Sequence, residues 1–267
     1  MKPEPLYTRE YFKYKANLLY GWSGFFKKSR ENTENIGDII LSSKQAWESD
    51  GISPLKTDCS LTGVSCLFKA DPFIAPVTIA SRAKGRIQYI LRKNGITIDF
   101  QRNFALRGLG HNNSEDVKNY IARQTAKEGF VDERFQELLD KYSWVNQTAN
   151  LNQPLFTKMG RYWYNLHLVL VVCDRYRISL EKNYQKIFDY SHRIAKNKGY
   201  NICAISVMPD HLHLALQGNL EHTPADIAMS FQSNIAYVMG QNLIWDYECY
   251  MGTFSEYNLG ALFVRKG

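Results

Sequence analysis

An internal repeat is the feature that most narrows the folds open to this chain. Shifting the sequence by 148 positions pairs Asn17-Leu18 with Asn165-Leu166, Ile39 with Ile187 and Gly51 with Gly199. The same shift pairs Pro76 with Pro224, Ile79-Ala80 with Ile227-Ala228 and Tyr89 with Tyr237. Stretched by two, it brings Phe104 onto Phe254 and Leu109-Gly110 onto Leu259-Gly260. One nearly constant offset is the trace a duplication leaves, and it asks for two related modules rather than one large core. At 267 residues, each half is long enough to bury a core of its own. The expected organisation is a first module over 10–125, a linker over 126–157 and a second module over 158–267.

The second half gives the clearer pattern. Tyr162 to Val172 is rich in aromatic and β-branched residues and reads as a buried strand. Leu180 to Asn197 has helical spacing, with Ile187, Phe188, Ser191 and Ile194 on one face and Gly199 as its stop. Ile202–Met208 and His211–Leu216 read as strands around a Pro209-Asp210 turn, and Pro224 opens a helix running toward Gln241. Strands interleaved with helices in two copies predict an α+β fold.

Composition excludes some functions and leaves others open. Lys and Arg exceed Asp and Glu by 33 to 26, a net +7 that suits a polyanionic partner and equally suits a solvated surface. Five cysteines without a C-x-x-C pair indicate neither a zinc ribbon nor a disulfide framework, so a reducing cytoplasm is the expected setting. The opening Met-Lys-Pro-Glu-Pro has no apolar run behind it, so no signal peptide is expected. The most apolar run, Leu166 to Cys173, is far shorter than the ~20 residues of a membrane span.

Two motifs carry chemistry. The first is His211-Leu212-His213 within ISVMPDHLHLALQ. On a strand, residues i and i+2 share a face, so both imidazoles emerge together and offer a two-point grip for a divalent cation. Two packing histidines in alternation would look the same. The second is Tyr120-Ile121-Ala122-Arg123-Gln124. It lies in a segment where Ser114 is a candidate N-cap and Glu115 and Asp116 place negative charge in the first turn. Helical spacing puts Tyr120 and Gln124 one turn apart, able to reach a common point. The same pair would also serve as ordinary helix surface. The repeats differ at these places: Gly63-Val64-Ser65 stands where the second copy has His211-Leu212-His213, and the second copy is expected to lack a counterpart of the Tyr120 helix.

Together these segments resemble the single-tyrosine HUH transposases of short insertion sequences and the REP-associated transposases. VMPDHLHLAL is similar to that family's histidine strand, and SRAKGRIQYILRK (Ser81–Lys93) to the helix that follows it. RNFALRGLG (Arg102–Gly110) resembles the next turn, Tyr120–Gln124 the Y-I-x-x-Q helix, and YNLHLVLVVCDRYR (Tyr164–Arg177) the opening strand. The resemblance implies ferredoxin-like modules arranged as a pseudo-dimer. It also implies single-stranded or hairpin DNA as partner, and a divalent metal, Mg²⁺ or Mn²⁺, held by His211, His213 and Gln124. Tyr120 would be the nucleophile, forming a 5′-phosphotyrosine. Tyr237, with Gln241 four residues on, is the rival. Lys84, Arg86, Arg102 and Arg107 are candidate phosphate contacts, although each suits solvated surface equally well. The order departs from the family, since Tyr120 precedes His211. A duplicated pair in which each copy lost one half of its site accounts for the inversion and predicts one composite site. The other expectation is a relative that grips single-stranded or hairpin DNA without cutting it.

Overall fold

The structure, a computed structural model, describes residues 7–127, 133–240 and 244–256. Along the chain, β1 (Lys13–Asn17) and β2 (Leu19–Phe26) lead to α1 (Ile36–Ser42) and α2 (Lys44–Glu48). The hairpin of β3 (Ile52–Ser60) and β4 (Gly63–Ala70) is followed by α3 (Pro76–Lys93) and β5 (Phe100–Leu109). Next come α4 (Ser114–Ala122), α5 (Gln124–Lys127), α6 (Glu133–Lys141), β6 (Ser143–Val145) and β7 (Leu155–Phe156). The second half runs β8 (Gly160–Trp163), β9 (Asn165–Val172), α7 (Glu181–Lys198), β10 (Asn201–Val207), β11 (His211–Gln217), α8 (Pro224–Met239) and β12 (Trp245–Phe254).

These strands form two six-stranded sheets, ordered β3-β4-β2-β5-β8-β7 and β1-β12-β9-β11-β10-β6. Inside them lie two copies of one antiparallel arrangement, β5-β2-β4-β3 and β12-β9-β11-β10. That order, with a helical segment after the first strand and a helix after the third, is the ferredoxin-like β-α-β-β-α-β plan. The stretch 126–157 contributes α6 and β6, and β6 pairs with β10 at the edge of the second sheet.

The modules exchange strands. β1 pairs in parallel with β12 before the chain crosses at buried Leu18 into β2 of the first sheet. In the same way β8 pairs in parallel with β5 before the chain crosses at buried Tyr164 into β9 of the second. Each module therefore completes an edge of the other.

Strand register corrects the sequence offset. α3 and α8 do open 148 residues apart, each with proline in its first turn, where a missing N–H costs nothing. Ser65 stands opposite Ser23, however, and His213 opposite Val169, so aligning Ser65 with His213 aligns Ser23 with Val169, two positions short. The same registers set the Leu19–Leu109 pair against the Asn165–Phe254 pair, so Phe254 corresponds to Leu109 and not to Phe104. Leu259-Gly260, and any segment in the place of α4 after β12, lie outside the described residues.

Alternation sorts the second sheet into two faces. Leu166, Leu168, Leu170, Leu212, Leu214 and Leu216 are fully buried in one core with Ile187 of α7 and Ile227, Phe231 and Ile235 of α8. Each such side chain contributes about 1.5–3 kcal/mol of burial. The opposite face carries His167, Val169, Val171, His211, His213 and Ala215. The element that covers it, α4, comes from the first half, with Val117 and Ile121 packed against Cys203, Ala204 and Ala215.

Candidate functional site

The second face of β11 and β9 assembles the site. His211 and His213 emerge side by side, ring centroids 4.7 Å apart and nearly perpendicular. His211 Nδ1 donates to the Asp210 carboxylate at 2.6 Å. Arg175 donates to the other oxygen of Asp210 at 2.8 Å. Although burial works against ionisation, the His211 and Arg175 hydrogen bonds hold Asp210 below the ordinary carboxylate range. His213 is 3% exposed, and its Nδ1 lies 3.1 Å from Nε2 of His167 on the neighbouring strand. Burial pushes His167 down to about 4, so it is neutral near pH 7.

α4 brings Tyr120 to this cluster. The helix starts as a capping box: Asn113 Oδ1 accepts from the Asp116 backbone N–H at 2.8 Å, and Asp116 accepts from the Asn113 backbone N–H. The cap is therefore Asn113 and not Ser114, whose buried hydroxyl finds no hydrogen-bond partner among the described residues. With Val117 and Ile121 facing the sheet, Tyr120 falls on the flank beside β9 and β11. Its ring centroid is 5.4 Å from that of His213 and 6.0 Å from that of His167, edge-on to both. Tyr120 is 41% exposed, and it borders a cavity of about 330 Å³ shared with Asn112, Val117, His167, Val169 and Tyr250. Tyr250, on β12, closes the other side with its ring 5.8 Å from His167, and burial, then the neighbouring Tyr120, raises its phenol.

Gln124 departs from expectation. α4 ends at Ala122, Arg123 leaves the helix, and Gln124 begins α5, so Tyr120 and Gln124 do not share one continuous helix. The Gln124 side-chain amide donates to the Tyr120 carbonyl at 3.0 Å, satisfying one of the acceptors a helix end leaves open. Gln124 is buried beneath the turn that carries Tyr120. Among the described residues no three His, Cys, Asp or Glu side chains converge on one point.

The remaining candidates sit elsewhere. Tyr237 is 71% exposed on α8, which packs on the leucine face of the sheet, away from the histidines. Gln241 lies outside the described residues. Arg86 is paired with Asp50 at 2.6 Å, and Arg107 with Glu256, its guanidinium 3.9 Å above the Trp163 ring. Lys84 donates to the Gln101 carbonyl at 2.9 Å, while Arg102 is exposed on β5. Arg86 and Arg107 thus already hold carboxylate partners, a use their position in the sequence did not reveal.

Two members of the cluster carried a weaker sequence signal. His167 stands on an apolar strand and reads as a packing histidine, and Asp210 reads as a turn residue. The His-x-His spacing, directly after Asp210 in the chain and one strand from His167, is the available hint for both, because histidines in such motifs commonly rest a ring nitrogen on partners of this kind.

Residues 161–254 match the family of IS200-like transposases. The sequence has no match among curated proteins. Among solved structures, the chain is similar to a candidate transposase from Deinococcus radiodurans R1, at 19% identity over 37% of this chain and 84% of that one, with a TM-score of 0.31. It is also similar to the regulatory subunit of aspartate kinase from Thermus thermophilus, at 12% identity over 81% and 97%, with a TM-score of 0.20. A bacterial light-regulated adenylyl cyclase is a third, at 11% identity over 84% and 66%, with a TM-score of 0.18.

Proposed function

From the premise that residues 161–254 form an IS200-like transposase module, we propose that the chain cleaves and rejoins single-stranded DNA at one site built from both halves. The observation that carries this reading is the Tyr120 ring of the first half, 5.4 Å from the His213 ring of the second.

In the proposed reaction the Tyr120 phenolic oxygen attacks phosphorus. The phenol gives up its proton, the bond from phosphorus to O3′ breaks, and O3′ leaves as a hydroxyl after taking a proton. The products are a 5′-phosphotyrosine and a free 3′-OH. Attack by another 3′-OH reverses the step and joins strands without an external energy source.

His211 and His213 suit a divalent cation such as Mg²⁺ or Mn²⁺, because the two imidazoles emerge together from one face of β11 with ring centroids 4.7 Å apart. In this reading the two imidazoles would be donors to the cation, and Gln124 would add an oxygen. A bound cation would stabilise negative charge on the phosphate oxygens. Asp210 and His167 act as positioning residues that fix the imidazole orientations.

The test is incubation with single-stranded oligonucleotides from the flanking DNA and Mn²⁺, followed by a denaturing gel. A covalent adduct is expected from the wild type and from Tyr237→Phe, and none from Tyr120→Phe or His213→Ala. An adduct that survives Tyr120→Phe and vanishes in Tyr237→Phe overturns the assignment. A chain that retards DNA but yields no adduct favours the non-cleaving binder.

A further inference from the structure

The first module has the same sheet face as the one that bears the histidines, and there it lacks them. In that sheet Phe156, Arg161, Ala105, Ser23 and Ser65 form one row across five strands, β7-β8-β5-β2-β4. The adjoining row is Trp163, Arg107, Gly21 and Leu67. The Ser23 and Ser65 hydroxyls hydrogen-bond to each other at 2.8 Å where the second module has Val169 and His213. The floor is therefore made of small side chains, and larger groups rise at its rim.

That rim has a distinct chemistry. Phe25 is 51% exposed and Phe156 70%, uncommon for phenylalanines on a sheet whose other face is a packed core. They border a groove of about 590 Å³ together with Trp163, Gln101, Lys158 and Arg161, and its lining contains two cations and no carboxylate. Beyond Phe25 the chain continues as Lys27-Lys28-Ser29-Arg30, extending positive charge past the end of β2.

We propose that this face is a second nucleic-acid site, a platform on which unpaired bases of single-stranded DNA stack against Phe25 and Phe156 while Lys158 and Arg161 meet the backbone phosphates. Exposed aromatics over a positively charged groove are the physical requirements of such binding: every base has a face to stack, and every linkage carries a charge. A duplex hides its base faces and cannot use the aromatics. The choice of DNA rests on the function proposed above, whereas the preference for a single strand rests on this surface alone. The duplicated fold would then divide its labour, one face cutting and its counterpart holding the strand.

The test uses the full chain carrying Tyr120→Phe, in chelator, with a fluorescent 20-mer oligothymidylate read by anisotropy. Without metal or nucleophile, the measurement is independent of cleavage, and failure to form adducts leaves it untouched. Phe25→Ala and Phe156→Ala are each expected to weaken binding about tenfold, within the range for loss of one stacked base. Arg161→Gln should reduce the dependence of log affinity on log salt by about 0.7, the contribution of one single-strand phosphate. The thermal midpoint reports whether each variant is folded, which exposed side chains permit. Unchanged affinity and salt slope in folded variants overturn the platform, and so does equal binding of a duplex 20-mer with equal sensitivity to the same substitutions.

Discussion

His167 shows how one residue reports on the state of the site. Its ring is half-buried beside His213 and Tyr120, and desolvation there lowers its pKa from 6.5 to about 4. The unfolded chain binds this proton near pH 6.5 and the folded chain only near pH 4. Between those values the unfolded state holds more protons, so stability falls as pH drops through the window. The full shift corresponds to about 3 kcal/mol, of which about 2 kcal/mol is lost between pH 7.5 and pH 5. Denaturant titrations at the two pH values, in chelator, should show that loss, and His167→Gln should remove most of it. An equally steep pH dependence in the variant would mean that another group is responsible. The sequence presented His167 as one polar residue on an apolar strand. Its relation to His213 depends on the pairing of β9 with β11, a long-range fact that periodicity does not contain.

At the scale of elements, the site depends on how α4 begins and ends. The box formed by Asn113 and Asp116 fixes the first turn, and the Gln124 amide closes the last. Asn113→Ala should cost about 1 kcal/mol, the usual worth of an N-cap, or about 2–4 °C in thermal midpoint for a chain of this size. Ser114→Ala should cost nothing or add slight stability, since the buried Ser114 hydroxyl has no hydrogen-bond partner among the described residues. A reversed ranking of the two variants by thermal denaturation would refute the observed cap. The asparagine and the serine are adjacent good caps, so sequence alone could not decide between them. Most second-half elements were legible because periodicity and stop signals agreed: α7 ends at Gly199, whose φ of 72° is the left-handed conformation glycine tolerates. Gln124 was misplaced for the opposite reason. No proline or glycine marks the break at Arg123, and the backbone leaves the helix there while the spacing still reads as helical.

In the whole molecule, the composite site follows from the way the halves interlock. A repeat in the sequence suggests two modules side by side, but Leu18 and Tyr164 carry no turn signal, so the crossing of β1 into β2 and of β8 into β9 could not be read there. Where the sheets meet, the Thr253 hydroxyl accepts from the Leu19 N–H at 2.8 Å and lies within reach of the Leu19 and Leu109 carbonyls. The strands approach so closely here that a Cβ on Gly110 would sit 2.3 Å from the Thr253 carbonyl oxygen, which explains a glycine immediately after β5. With each sheet holding a strand of the other module, neither half can lose its core without disrupting its partner. Calorimetry should therefore show one transition, with calorimetric and van't Hoff enthalpies equal. Thr253→Val keeps the shape and removes the acceptor, leaving the buried Leu19 N–H unpaired at a cost of about 1–3 kcal/mol. Because the loss falls on a junction shared by both modules, the whole transition should move down together and remain single. Two separable transitions in the wild type, or a variant in which only part of the transition moves, would show that the halves fold as independent units and that strand exchange does not couple them.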